Sequence, residues 1–322
     1  MTTLAAGERG PGLMAVRYIR DTKTAHPTGN PDFAVQQSMP GVVPEEECDP
    51  FLMCDEFGPV RSTGAYGNDT DEGFGVPWHP HHGMEILSYI VEGVGRHADS
   101  MGNRETYASP GFQWMSVGSG IEHAEGGGTP AGQNTHGFQL WLRMPVANME
   151  DAPRYGTVEP DAIPTVDLGG SSLARVIAGS FRGADGPAKF AVTSQILDVQ
   201  LDAGATFSYV CPPSCDNVMF YGFKGSCTVE NGGGKSLRKQ QILRFNTSDA
   251  AAQEARVTAG ADGFRMMVFT GKMTKEKIVW HGPFVCADRA QLMECFGKYQ
   301  RGQFPPVRCA WDYKDASKTP EA

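Results

Sequence analysis

Apolar residues cluster along this chain in short runs, not in long stripes. Segments 84–91, 112–117 and 138–144 are such runs, with Gly93, Gly111 and Gly118 at their ends. The third alternates apolar and polar side chains through Arg143, the period-two pattern of a strand with one buried face. Segments 190–199, 205–210, 218–221 and 264–269 repeat the style. Earlier, 33–43 has room for strands, and 49–59 is a short apolar run closed by a turn. Only 287–299 spaces its apolar residues as a helix does: Ala290, Leu292, Met293, Phe296 and Tyr299 fall at helical intervals, and Gly302 follows.

These elements predict an all-β chain in two units. Residues 31–165 form the first and 166–305 the second, the latter ending in the helix; 1–30 and 306–322 read as tails, with the last dozen residues disordered. Residues 61–76, rich in Gly, Ser, Thr and Asp, read as an exposed loop, and 145–165, with its prolines and acidic residues, as a linker. A Tyr-x-x-x-Gly frame occurs at Tyr89–Gly93 and again at Tyr221–Gly225, a hint of duplication.

Composition agrees. A length of 322 residues suits two domains, and 40 glycines with 22 prolines favour many short strands joined by tight turns. The formal net charge of -9 argues against direct nucleic-acid binding, because phosphate contacts need a basic surface. The richest basic stretch, Lys235-Ser-Leu-Arg238-Lys239, reads as a solvated loop. The N-terminus has no apolar leader and no segment is long enough to span a bilayer, so a soluble, cytoplasmic protein is expected. None of the eight cysteines forms a CxxC pair, so reduced core thiols are expected.

The chemistry gathers in the first half. Five of the eight histidines lie between positions 79 and 123, and none between 137 and 280. His79-Pro80-His81 is an HxH pair, and His123-Ala124-Glu125 repeats the i, i+2 spacing. On strands, such pairs put both side chains on one face, so two neighbouring pairs could aim three imidazoles and a carboxylate at one ion. An isolated HxH pair more often serves packing; the second pair shifts the reading toward a metal. Glu85 shares the face of His81, either as a further inward group or as a partner orienting a ligand ring. His82 points away from that face, as a backing or surface residue. His97 and His136 read as hydrogen-bonded structural histidines.

Gly73-x5-His79-x-His81-x3-Glu85 is similar to the first cupin motif, and the run from Trp78 to Tyr89 resembles its pirin version. So do Asp49–Pro59, Gln113-Trp-Met with Gly118–Glu125, His136–Trp141, and His281-Gly-Pro-Phe284-Val with the helix after it. The resemblance spans about residues 31 to 305. It implies two stacked cupin barrels with a short C-terminal helix. It also implies one divalent metal ion, usually Fe(II), held in the first barrel by His79, His81, His123 and Glu125, with Glu85 not a ligand. Some pirins have quercetin 2,3-dioxygenase activity, and mammalian pirin is described as a nuclear, redox-responsive transcriptional co-regulator.

The chain departs from the pirin pattern at His82, where arginine is common, at the 61–76 insertion, and at Glu122, where an apolar residue is common. The leading expectation is a metal-dependent dioxygenase acting as a monomer on a flavonol-like substrate. Glu125 would be its base, and Phe74, Trp78 and Trp114 could supply flat apolar walls. The alternatives are a redox-responsive protein-binding module, cytoplasmic or nuclear, and a metal-holding cupin without turnover. By the Tyr-x-x-x-Gly alignment the second barrel carries no metal: Cys211 and Pro213 stand where His79 and His81 stand in the first.

Overall fold

The computed structural model describes residues 12–27, 34–64, 74–230, 232–251 and 253–318. It is a bicupin, two β-barrels joined face to face, with one long helix near the C-terminus. The first barrel is built from two sheets. A seven-stranded sheet runs, in spatial order, through Arg154–Val158, Gly111–Ser116, Met84–Glu92, Asn134–Arg143, Phe51–Arg61, Val35–Met39 and Lys23–Ala25. Facing it, Val76–His81, Ile121–Glu125, Val94–Asp99 and Arg104–Ala108 form a four-stranded sheet. The second barrel is a nine-stranded sheet whose longest strands are Asn217–Val229 and Glu254–Gly271. Among the described residues, no helix is long and apolar enough to cross a membrane.

The apolar runs become strands because each buries at least one face. Met84–Glu92 is buried at every position except Glu92, as expected of a central strand covered on both sides. Between the barrels lies one shared apolar layer, in which Leu87, Phe138 and Leu140 of the first barrel meet Met219, Tyr221 and Phe269 of the second. The two frame tyrosines anchor it reciprocally. Tyr89 donates to Asp198 of the second barrel (2.6 Å), and Tyr221 donates to Glu56 of the first (2.6 Å). Burial pushes the Asp198 carboxyl up, but Arg265 and Arg175 outweigh it and hold the group below its usual value. The second barrel is filled by its own side chains, among them Phe207, Tyr209, Phe220, Phe245 and Cys211.

Both ends of the chain differ from the sequence reading. Part of the expected N-terminal tail is structured: Val16–Asp21 pairs with Gln241–Phe245 as an edge strand of the second barrel, and Lys23–Ala25 pairs with Val35–Met39 of the first. The expected linker contributes the strand Arg154–Val158, paired with Gly111–Ser116. The C-terminal segment is not loose where described. Cys309 N donates to Ser100 O (2.8 Å), and Tyr313 stacks at a tilt on Trp78, rings 5.3 Å apart. These contacts join residues far apart in sequence, which local periodicity does not report. Most of the 61–76 loop, residues 65–73, lies outside the described residues.

The helix runs over Arg289–Gln300, capped by Asp288, whose side chain accepts from Gln291 N (2.9 Å). It buries Leu292 and Cys295, while Met293, expected on its apolar face, is 60% exposed.

Candidate metal centre

Val76–His81 and Ile121–Glu125 are adjacent antiparallel strands, and their register sets His123 opposite His79 and Ile121 opposite His81. The i, i+2 spacing then turns His79, His81 and His123 toward one point. Ring centroids are 4.8 Å apart for His79 and His81, 4.3 Å for His79 and His123, and 5.0 Å for His81 and His123. One ring nitrogen from each lies within 4.8 Å of the others.

The donor set suits a metal ion. His79 Nδ1 donates to Pro77 O (2.7 Å), which leaves Nε2 as the free ligand atom. His81 Nδ1 and both ring nitrogens of His123 are buried without a hydrogen-bond partner. Each such orphan costs about 1–3 kcal/mol. Burial, reinforced by the neighbouring imidazoles, pushes His81 and His123 well below the ordinary histidine value. Both are therefore neutral at neutral pH, the form that ligates.

Glu125, on the strand of His123, is buried, and its carboxylate is held by three donors. Ser88 Oγ (2.8 Å) and Gln113 Nε2 (3.1 Å) donate to Oε2, and Gln139 Nε2 donates to Oε1. Those donors form one row across three neighbouring strands, since Gln139 pairs with Ser88 and Ser88 with Gln113. Oε1, with a single donor, keeps a lone pair for another partner. His97 backs the cluster with its ring 5.4 Å from that of His123, stacked on Tyr155 and donating from Nε2 to Asp99 (3.1 Å).

Sequence comparison decides the family. Residues 32–142 match the family described as Pirin, and 196–305 match the Pirin C-terminal cupin domain. The chain belongs to the pirin family. A pirin-like protein of Caulobacter vibrioides is 33% identical over 90% of this chain and 100% of that protein. A Pseudomonas aeruginosa protein provisionally named a quercetin 2,3-dioxygenase is 32% identical over 89% of this chain and 97% of its own. The crystal structure of quercetin 2,3-dioxygenase from Acinetobacter baumannii shares the fold, with a TM-score of 0.79 at 23% identity over 91% of this chain and 99% of that one. A bacterial pirin of Escherichia coli, solved in complex with nickel(II), has a TM-score of 0.59 at 19% identity, covering 79% of this chain and 98% of that one.

Where this pirin departs from the common pattern, its own contacts give the reason. Glu122 faces away from His123 and binds the C-terminal segment, accepting from Tyr313 OH (2.6 Å) and Lys314 Nζ (2.6 Å). His82 is buried and also faces away from the cluster: Nδ1 donates to Val285 O (2.8 Å), and Nε2 lies 3.2 Å from Glu150 Oε1. It therefore does not sit beside the candidate site as an anion-binding group, nor at the surface.

Glu85 is not part of the cluster. It accepts from Ala191 N (2.7 Å), a contact with the second half of the chain, and burial pushes its carboxyl up to about 7. His136 donates from Nε2 to Glu56 (2.7 Å), the carboxylate that also accepts from Tyr221. Of the expected aromatic walls, Trp78 and Phe74 pack together on the four-stranded sheet, whereas Trp114 belongs to the layer between the barrels. Trp141, missed from the sequence, places its ring 5.0 Å from that of His81. The signal was available: Gln139 and Trp141 share a strand face by their i, i+2 spacing.

Proposed function

We propose that His79, His81, His123 and Glu125 hold one divalent ion, Fe(II), and that the chain is a dioxygenase of the quercetin 2,3-dioxygenase type. The observation that carries this reading is the convergence of three imidazoles, with His81 Nδ1 and both ring nitrogens of His123 buried and without a hydrogen-bond partner. When bound, the ion supplies a Lewis acid with positions left open to small molecules. The chain's own residues do the rest. The row Ser88, Gln113 and Gln139 fixes the Glu125 carboxylate, so that Oε1 can accept the proton of a flavonol hydroxyl. Trp141, with its ring 5.0 Å from that of His81, offers flat apolar area beside the imidazoles on which an aromatic substrate can rest. Holding the substrate there replaces a rare collision by a local encounter. The proximity of pirins named for quercetin dioxygenation supports the substrate class.

The test is oxygen uptake by iron-loaded protein given quercetin and a panel of related flavonols and catechols. Substrate-dependent uptake is expected. No uptake across the panel would favour a protein-binding module without turnover.

A further inference from the structure

A second cluster lies on the opposite side of His82, where the C-terminal helix covers the strand Phe284–Cys286. Cys286 Sγ is 4.0 Å from Cys295 Sγ and 3.7 Å from His82 Nδ1. Above it is a pocket of about 150 Å³ lined by His82, Glu150, Gln291, Cys295, Lys298 and Phe304. Its rim reaches solvent: the Glu294 side chain is 60% exposed, Lys298 41% and Glu150 66%. Cys295 faces this pocket, while Cys286 sits beneath it, fully buried. Both nitrogens of His82 are already engaged, by Val285 O and Glu150. An ion bound through His82 would have to break one of those contacts, whereas chemistry between the two sulfurs would break neither.

We infer that Cys295 and Cys286 are a redox-active dithiol, oxidised by a hydroperoxide that enters the pocket. In the first step Cys295 sulfur attacks the peroxide oxygen. The S–O bond forms, the O–O bond breaks, and the leaving alkoxide takes the thiol proton as an alcohol. In the second, Cys286 sulfur attacks the Cys295 sulfenic acid, so the S–S bond forms and the S–O bond breaks. Hydroxide leaves and takes the Cys286 proton as water. Two thiols thus give two electrons to one hydroperoxide. The order follows from position: Cys295 lines the pocket, and Cys286 is reached only through it. It also agrees with their acidities. The Cys286 S–H donates to Cys295 and, against the effect of burial, holds the Cys295 thiol below its ordinary value, while the same bond pushes Cys286 up. The distance of 4.0 Å is longer than a disulfide and short enough to close by side-chain rotation.

The experiment treats the reduced full chain with cumene hydroperoxide, with its metal as isolated and again after chelation, and reads mass and tryptic peptides. Trypsin cuts after Arg289, so a disulfide joins the peptide holding Cys286 to the peptide holding Cys295. The expected wild-type result is loss of two hydrogens and that linked pair in both preparations. Dimedone should label Cys295 in Cys286→Ser and leave Cys286 unlabelled in Cys295→Ser. Unchanged thiols in the wild type, which needs no variant to fold, would overturn the inference. So would first labelling at Cys286, or retention of zinc by both thiols after chelation.

Discussion

His79 and His123 are direct cross-strand partners with rings 4.3 Å apart, and neither ring nitrogen of His123 has a hydrogen-bond partner. A buried imidazole pays a desolvation cost at both nitrogens, and nothing in the surrounding protein offsets it. An ion at the meeting point of the three rings would remove that cost at the one nitrogen of His123 that ligates it, which is why the geometry bears on cofactor before it bears on catalysis.

His81→Ala and His123→Ala should each lose most of the metal under mild chelation, since each deletes one of four proposed protein ligands. Elemental analysis after chelation checks this. Full retention in both variants would refute the ligand set.

Glu125→Gln should lower flavonol turnover by about a hundredfold or more while metal content falls much less. The amide keeps a ligand oxygen but cannot accept the substrate proton. Gln113 and Gln139 can turn their own amides to meet the new N–H₂, so the strand should keep its place. Parallel assays of oxygen uptake and bound metal separate the two effects; an equal loss of both would make Glu125 a ligand only.

Glu85 gives a pH dependence of stability. Its carboxyl is raised from 4.5 to about 7 by burial, so over that window the folded chain binds more protons than the unfolded one. Stability from this group is therefore complete below the lower value and declines as pH rises through the upper one, by a few kcal/mol at most. Asp55, raised to about 6 by burial, tilts the same way. Glu85→Gln mimics the protonated form and should flatten the decline. Urea unfolding of both proteins at pH about 5 and about 8 measures it, and an unchanged pH difference in the variant would contradict the assignment.

Much of the candidate centre could be read in the sequence because strand alternation converts i, i+2 spacing into a shared face. His79 with His81 needed only that rule; one ring nitrogen of each comes within 4.8 Å of one of His123, a grouping that does not include the Glu125 carboxylate. The row Ser88, Gln113 and Gln139 could not be read the same way. Its members become neighbours through the register of three strands, and no local pattern specifies which residue pairs with which. The same limit hid Val16–Asp21, whose partners lie at Gln241–Phe245, and the docking of Tyr313 and Lys314 on Glu122. His82 shows a different limit. Alternation correctly turned it away from His81, but only the fold reveals that the far side is packed under the C-terminal helix instead of open to water.

Anomalous diffraction at the iron edge, from crystals of the chain purified without oxygen and loaded with Fe(II), tests the central claim most directly. A single strong peak is expected in the first barrel, within bonding distance of His79, His81, His123 and Glu125. No peak at that point under full loading, or a peak inside the second barrel, would contradict the account.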